Sequence, residues 1–77
     1  MKLKIINSDK ILYEEDVFYL KAPGLNGYFQ ILENHTSFIS ILKKGNLKFK
    51  NKKKIKKNLN IEKGILKVNK NFIIILL

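Results

Sequence analysis

Residues Pro23–His35 read PGLNGYFQILENH, and this stretch decides the fold. It holds the only Pro, the only His, two of the four Gly and two of the eight aromatics (three Tyr and five Phe). Pro before Gly presets a turn, and Gly accepts φ > 0 without steric cost. Pro23–Gly27 therefore reads as a tight loop, with a strand resuming at Tyr28. Phe29 and Ile31 alternate with Tyr28 and Gln30, which places the two apolar side chains on one face. Glu33–His35 ends that strand in a second polar turn.

Outward from this loop the pattern repeats. Lys2–Ile6 alternates Leu3 and Ile5 against Lys2 and Lys4, a half-buried strand. Ile11–Tyr13 and Val17–Leu20 read as two short strands kinked at Glu14-Glu15-Asp16, an exposed corner. Ser37–Leu42 carries apolar side chains on both faces. Lys43-Lys44-Gly45-Asn46 reads as a turn with Gly45 at φ > 0. Leu47 and Phe49 alternate with lysines. Lys57 shares the inward parity of Leu59 and Ile61, so it belongs at an edge or snorkels. Gly64 opens Ile65–Val68, Asn69-Lys70-Asn71 turns, and Phe72–Leu77 closes the chain. In that last strand Phe72, Ile74 and Leu76 are assigned to the core and Ile73, Ile75 and Leu77 to the outer side. Turn signals recur every 8–12 residues or so and no segment keeps a 3.6 period, the pattern of an all-β sandwich or barrel.

At this point the residues resemble a family. Pro23-Gly24-x-x-Gly27-x-Phe29-x-Ile31-Leu32-x-Asn34-His35, followed by Leu42-x-x-Gly45-x-Leu47, is similar to the epsilon subunit of bacterial F-type ATP synthase, the delta subunit of mitochondria. The likeness extends from the opening LKII to the closing GILKVNKNFIIIL. It implies one domain over residues 1–77, a two-sheet antiparallel β-sandwich with the loop at one end. It also implies a non-catalytic rotor part of a proton-translocating synthase, gripping the gamma subunit and seated on the membrane c-ring. Its implied place is peripheral, on the cytoplasmic face of the bacterial inner membrane. By position, Gly27 and Tyr28 would face the ring, Asn7, His35 and Ser40 would contact gamma, and Pro23, Gly24 and Gly27 would set the loop geometry. Relatives often carry a small or acidic residue at Tyr28. They also often continue into two C-terminal helices. The sequence in hand stops at Leu77, so the expectation is a subunit without that hairpin, coupling rotation without inhibiting by shape change.

Composition sets the other bounds. Seventy-seven residues make one small core, and with no Cys neither disulfides nor a thiolate metal site is written in. One His builds no zinc site, so no metal or other cofactor is expected. The longest apolar run, Phe72–Leu77, is six residues, far short of the roughly 20 of a spanning helix. Ser8, Ser37 and Ser40 lack a nucleophile-elbow pattern and no Gly-rich run opens a helix, so no enzyme is read here.

The net charge of +10 points to anionic partners, yet all 16 basic residues are Lys. With 12 Ile and 9 Asn they are the residues of A/T-only codons, so drift toward A/T is the preferred account of the excess and selected anion binding the alternative. Nine Lys fall within Lys43–Lys57, with no acid between Glu33 and Glu62. The readings are a solvated face, a contact with anionic headgroups, or an acidic patch on a partner. The rival to the rotor reading is a basic nucleic-acid-binding β-barrel of the OB type. It is disfavoured because Phe49 is the only aromatic within the Lys run, and its parity with Leu47 sends it inward.

Overall fold

The computed structural model describes residues 1–77, and every regular element in it is a strand. The strands are β1 (Lys2–Asn7), β2 (Lys10–Gly24), β3 (Gly27–Leu32), β4 (Phe38–Leu42), β5 (Gly45–Asn51), β6 (Lys56–Ile61), β7 (Gly64–Asn69) and β8 (Phe72–Leu76). The short strands match the sequence reading; β2 does not, because its 15 residues run unbroken through the acidic triplet. Glu14 and Asp16 stand opposite Lys4 and Lys2 of β1, where cross-strand charge complementarity lets acids occupy a strand.

The kink foreseen at the triplet survives as a register shift between Val17 and Tyr19. It lets β2 serve two sheets. Lys10–Asp16 pairs with β1, and the first sheet continues β1-β8-β7-β4. Val17–Lys21 pairs with β5, which pairs with β6, and Tyr19–Gly24 pairs with β3 on the other edge. The layers meet again where Gly24 pairs with Leu42 of β4. The expected sandwich is therefore present, antiparallel throughout except that β1 and β8 run parallel.

All eight strands feed one core, which includes Leu3, Val17, Leu20, Ile31, Leu42, Leu47, Ile61 and Leu66. One parity expectation is reversed. In β8 it is Ile73 and Ile75 that are buried, while Phe72, Ile74 and Leu76 face out. The reason lies in the neighbours. Ile73 sits between Leu3 and Val68, and Ile75 between Ile5 and Leu66, all of them inward residues of β1 and β7.

Turn chemistry is unusual in using so little Gly. Ser8-Asp9 and Lys70-Asn71 each hold φ > 0 at both residues, the primed geometry that matches strand twist. Gly45 is not a positive-φ residue; Gly27 is the one Gly that is. The β5–β6 turn is organised by Asn51, buried at 3% exposure. Its Oδ1 accepts from the Lys53 and Ile55 amides, both at 3.0 Å, and its Nδ2 donates to Glu15 at 3.3 Å. Asn51→Ala would strip partners from two part-buried amides and is expected to cost about 2 kcal/mol. A denaturant midpoint unchanged by that substitution would show the turn closing without it.

Candidate functional site

The β2–β3 hairpin turns through Leu25-Asn26, with Gly24 opposite Gly27. Only Gly27, at φ 123°, leaves the ordinary region, and apart from its own chain neighbours nothing lies within 4 Å of where its Cβ would be. It is thus a conformational glycine on an open tip. Pro23 and Gly24 are buried beneath it. Leu25 is 60% exposed and Tyr28 58% exposed. The Tyr28 ring does not simply project from the tip. Its hydroxyl oxygen accepts from the Asn46 amide at 2.9 Å, so the side chain lies back across the start of β5. Lys43, in the β4–β5 turn, donates its amide to Pro23 O at 2.9 Å, which ties that turn to the same end.

The three residues carried over as gamma contacts are not gathered at one point. Asn7 ends β1, one step beyond Ile6 and its partner Leu76. His35 lies at the opposite end of the first sheet. Its loop is held to the β7–β8 turn by Asn34 N donating to Asn71 Oδ1 at 2.7 Å and Asn71 Nδ2 donating to Asn34 Oδ1 at 3.2 Å. The Asn71 carbonyl in turn accepts from Lys2 N, so His35 and Asn7 are separated by the length of β1, about 17 Å.

His35 behaves as a turn His. Its Nδ1 lies 2.7 Å from Thr36 O, which puts the proton on Nδ1, and its ring packs on Phe38 at 5.0 Å. Ser40 shares the parity of Phe38 and Leu42, so it faces inward, half-exposed along the free edge of β4. Its hydroxyl donates to Ile41 O at 3.3 Å.

Close to His35, Glu33 accepts from Lys52 Nζ at 2.9 Å and lies 3.4 Å from the Met1 ammonium. The Lys52 hydrogen bond, and then that of the N-terminus, hold its carboxyl below the usual range. Because the folded value is depressed, any contribution is present above the ordinary range near 4.5 and fades as pH falls through the lowered value.

What lies between Asn7 and His35 was missed in the sequence. On the outer side of the first sheet, Ile41, Ile65, Leu76, Ile6 and Ile11 are successive cross-strand neighbours over β4, β7, β8, β1 and β2. They form one unbroken apolar row about 19 Å long, at a strand spacing of about 4.8 Å. Ile41 is 58% exposed, Ile65 47%, Leu76 48% and Ile11 53%, with Ile6 half-buried. The next row runs Ile39, Lys67, Ile74, Lys4, Glu14 and mixes charge with apolar area. The row was invisible in sequence because its five members come from five strands and align only through the register. Its β4 end adjoins the Gly24–Leu42 pairing beneath the β2–β3 tip.

Comparison with known proteins agrees with this architecture. The family described as "ATP synthase, Delta/Epsilon chain, beta-sandwich domain" matches residues 1–77. An ATP synthase epsilon chain of Leptospira borgpetersenii is 36% identical over 76 residues, 99% of this chain and 59% of that one. Another from Protochlamydia amoebophila is 36% identical over 69 residues, 90% of this chain and 47% of the relative. The epsilon chain of Chlorobium limicola is 33% identical over 75 residues, 97% of this chain and 85% of its own length. The chain thus spans between about half and three-fifths of the first two relatives. Among solved structures, a chain of the Euglena gracilis mitochondrial ATP synthase superposes with a TM-score of 0.89 at 21% identity, covering 96% of this chain and 48% of that one. A chain of the Tetrahymena thermophila synthase, from its central stalk and c-ring, gives 0.83 at 18% identity, covering 99% and 61%. These likenesses establish a shared fold, and the sequence matches go further: the chain belongs to the family of ATP synthase delta and epsilon chain β-sandwich domains.

Proposed function

We propose that this domain is a non-catalytic part of the central stalk of a proton-translocating F-type ATP synthase. The outer face of the first sheet packs on the gamma subunit. The β2–β3 tip, with Gly27 and Tyr28, abuts the membrane c-ring. The domain then sits peripherally at the cytoplasmic face of a bacterial inner membrane and carries torque between ring and gamma. The apolar row Ile41–Ile65–Leu76–Ile6–Ile11 carries this reading, because contiguous exposed apolar area on a small domain marks a protein contact. Asn7 and His35 flank the face from its two ends, which suits a contact broad enough to resist slip, more than about 1,000 Å². One core shared by every strand gives the body no internal hinge.

The test is capture of purified gamma by Ile41→Asp/Ile65→Asp. Both side chains are exposed, so the fold should persist, while two carboxylates placed in a desolvated contact should weaken capture at least about a hundredfold. Undiminished capture by the folded variant would reject this face as the grip.

A further inference from the structure

We infer that the outer face of the second sheet is a separate docking surface, for the anionic headgroups of a lipid bilayer. The half of β2 from Val17 to Gly24, together with β3, β5 and β6, contains no acidic residue and five lysines, Lys21, Lys48, Lys50, Lys56 and Lys57. On the outward parity, Lys21 stands directly opposite Lys48, and Lys50 directly opposite Lys56. Like charges in direct cross-strand register oppose folding. The molecule does not relieve them internally, since its only two salt bridges both go to Glu33. By contrast, the first sheet balances Lys2 and Lys4 against Asp16 and Glu14.

The chemistry of the face selects the partner. A protein contact of this size needs apolar, aromatic or Arg anchors in its centre, and lysine is depleted there. The centre of this face is lysine with Gln30 and Asn58 in the same row. A nucleic acid needs stacking rings or the planar forks of Arg. The chain has no Arg, and the aromatics here are already engaged by neighbours: Tyr19 is half-buried with Lys21 Nζ 5.9 Å from its ring centre, Phe18 lies under Lys52 Nζ at 4.3 Å, and the Tyr28 hydroxyl is held by the Asn46 amide at 2.9 Å. A bilayer needs neither. Its headgroups move laterally to match any layout of point charges, and each lysine near an anionic surface adds its own attraction. The surface stands apart from the stalk reading, because the apolar row assigned to gamma lies on the other sheet.

Flotation with phosphatidylglycerol vesicles tests it, with phosphatidylcholine vesicles as the neutral reference. The 77-residue chain should bind the anionic vesicles only, and lose them between about 0.05 M and about 0.5 M salt. Lys21→Gln/Lys48→Gln/Lys50→Gln/Lys56→Gln should bind at least about a hundredfold more weakly. Unfolding is not expected to confuse that result, since the variant removes two like-charged pairs. Lys2→Gln/Lys4→Gln/Lys67→Gln/Lys70→Gln, with the same net charge but drawn from the first sheet and its turn, should keep most of the binding. Gamma capture by the second-sheet variant should be unchanged. If gamma capture fails for the parent chain while vesicle binding and its variant dependence persist, the lipid face stands and the stalk reading falls. Equal losses in the two quadruple variants, no binding to anionic vesicles, or binding to a single-stranded oligonucleotide in preference to vesicles would overturn the proposal.

Discussion

Ile75→Ala is expected to destabilise the domain by about 3–4 kcal/mol, while Leu76→Ala, its neighbour, costs less than about 1 kcal/mol. Ile75 is fully buried between Ile5 of β1 and Leu66 of β7. Truncating it removes buried methyl groups and leaves a cavity that three strands in hydrogen-bonded register cannot close. Leu76 is 48% exposed and loses little water exclusion. Against a total of about 4–12 kcal/mol for a chain of this length, the first loss takes a large share of the stability. Equilibrium denaturation should show a lower midpoint with an unchanged slope for Ile75→Ala and a near-parental curve for Leu76→Ala. The opposite order would mean that β8 presents its other face to the core.

That contrast marks where sequence reading reached its limit. β1 was legible because Leu3 and Ile5 alternate with lysines, and β7 because Leu66 and Val68 alternate with Lys67 and Asn69. β8 reads FIIIL, apolar on both parities, so nothing local says which side is inner. Its parity is imposed by β1, some seventy residues earlier, through a parallel pairing that leaves no mark in either segment. The acidic triplet misled for a related reason. Three acids suit a bend until Lys2 and Lys4 are known to lie opposite two of them. The loop Pro23–His35 fared better. Pro, Gly and the alternation of Phe29 with Ile31 are local signals, and they placed the hairpin, its strand and the following turn. The site around that loop was only half legible. Gly27 could be read as conformational from its context, and His35 as a turn residue. The apolar row and the lysine pairs depend on register across sheets, and no window of sequence contains them.

Gly45→Val is expected to cost about 3 kcal/mol, and for a reason other than the one its turn-like setting suggests. The turn is Lys43-Lys44; Gly45 already belongs to β5 and has no positive φ, so a side chain there is not forbidden by the backbone. It is forbidden by its surroundings. A Cβ at Gly45 would lie 2.7 Å from Pro23 Cβ, 2.9 Å from Pro23 Cγ and 2.7 Å from the Tyr28 hydroxyl. The Tyr28 ring can swing away, at the cost of the hydrogen bond from Asn46 N. Pro23 cannot, because its ring is fixed to a backbone paired with β3. The strain must therefore move strand against strand, which is why even one added methyl costs about 1–3 kcal/mol and the branched side chain more. Denaturation midpoints for Gly45→Ala and Gly45→Val should fall in that order. Amide exchange at Asn46 should accelerate in both. Adding Tyr28→Ala to Gly45→Ala should recover only part of the loss, since the contact with Pro23 persists. Full recovery would show that Tyr28 alone fills the space, and parental stability of Gly45→Val would show that β2 and β5 have room to part at this point. The glycine that holds the tip in place is thus eighteen residues from Gly27, which shapes it, and the two act by different physics: one supplies a dihedral angle, the other supplies room.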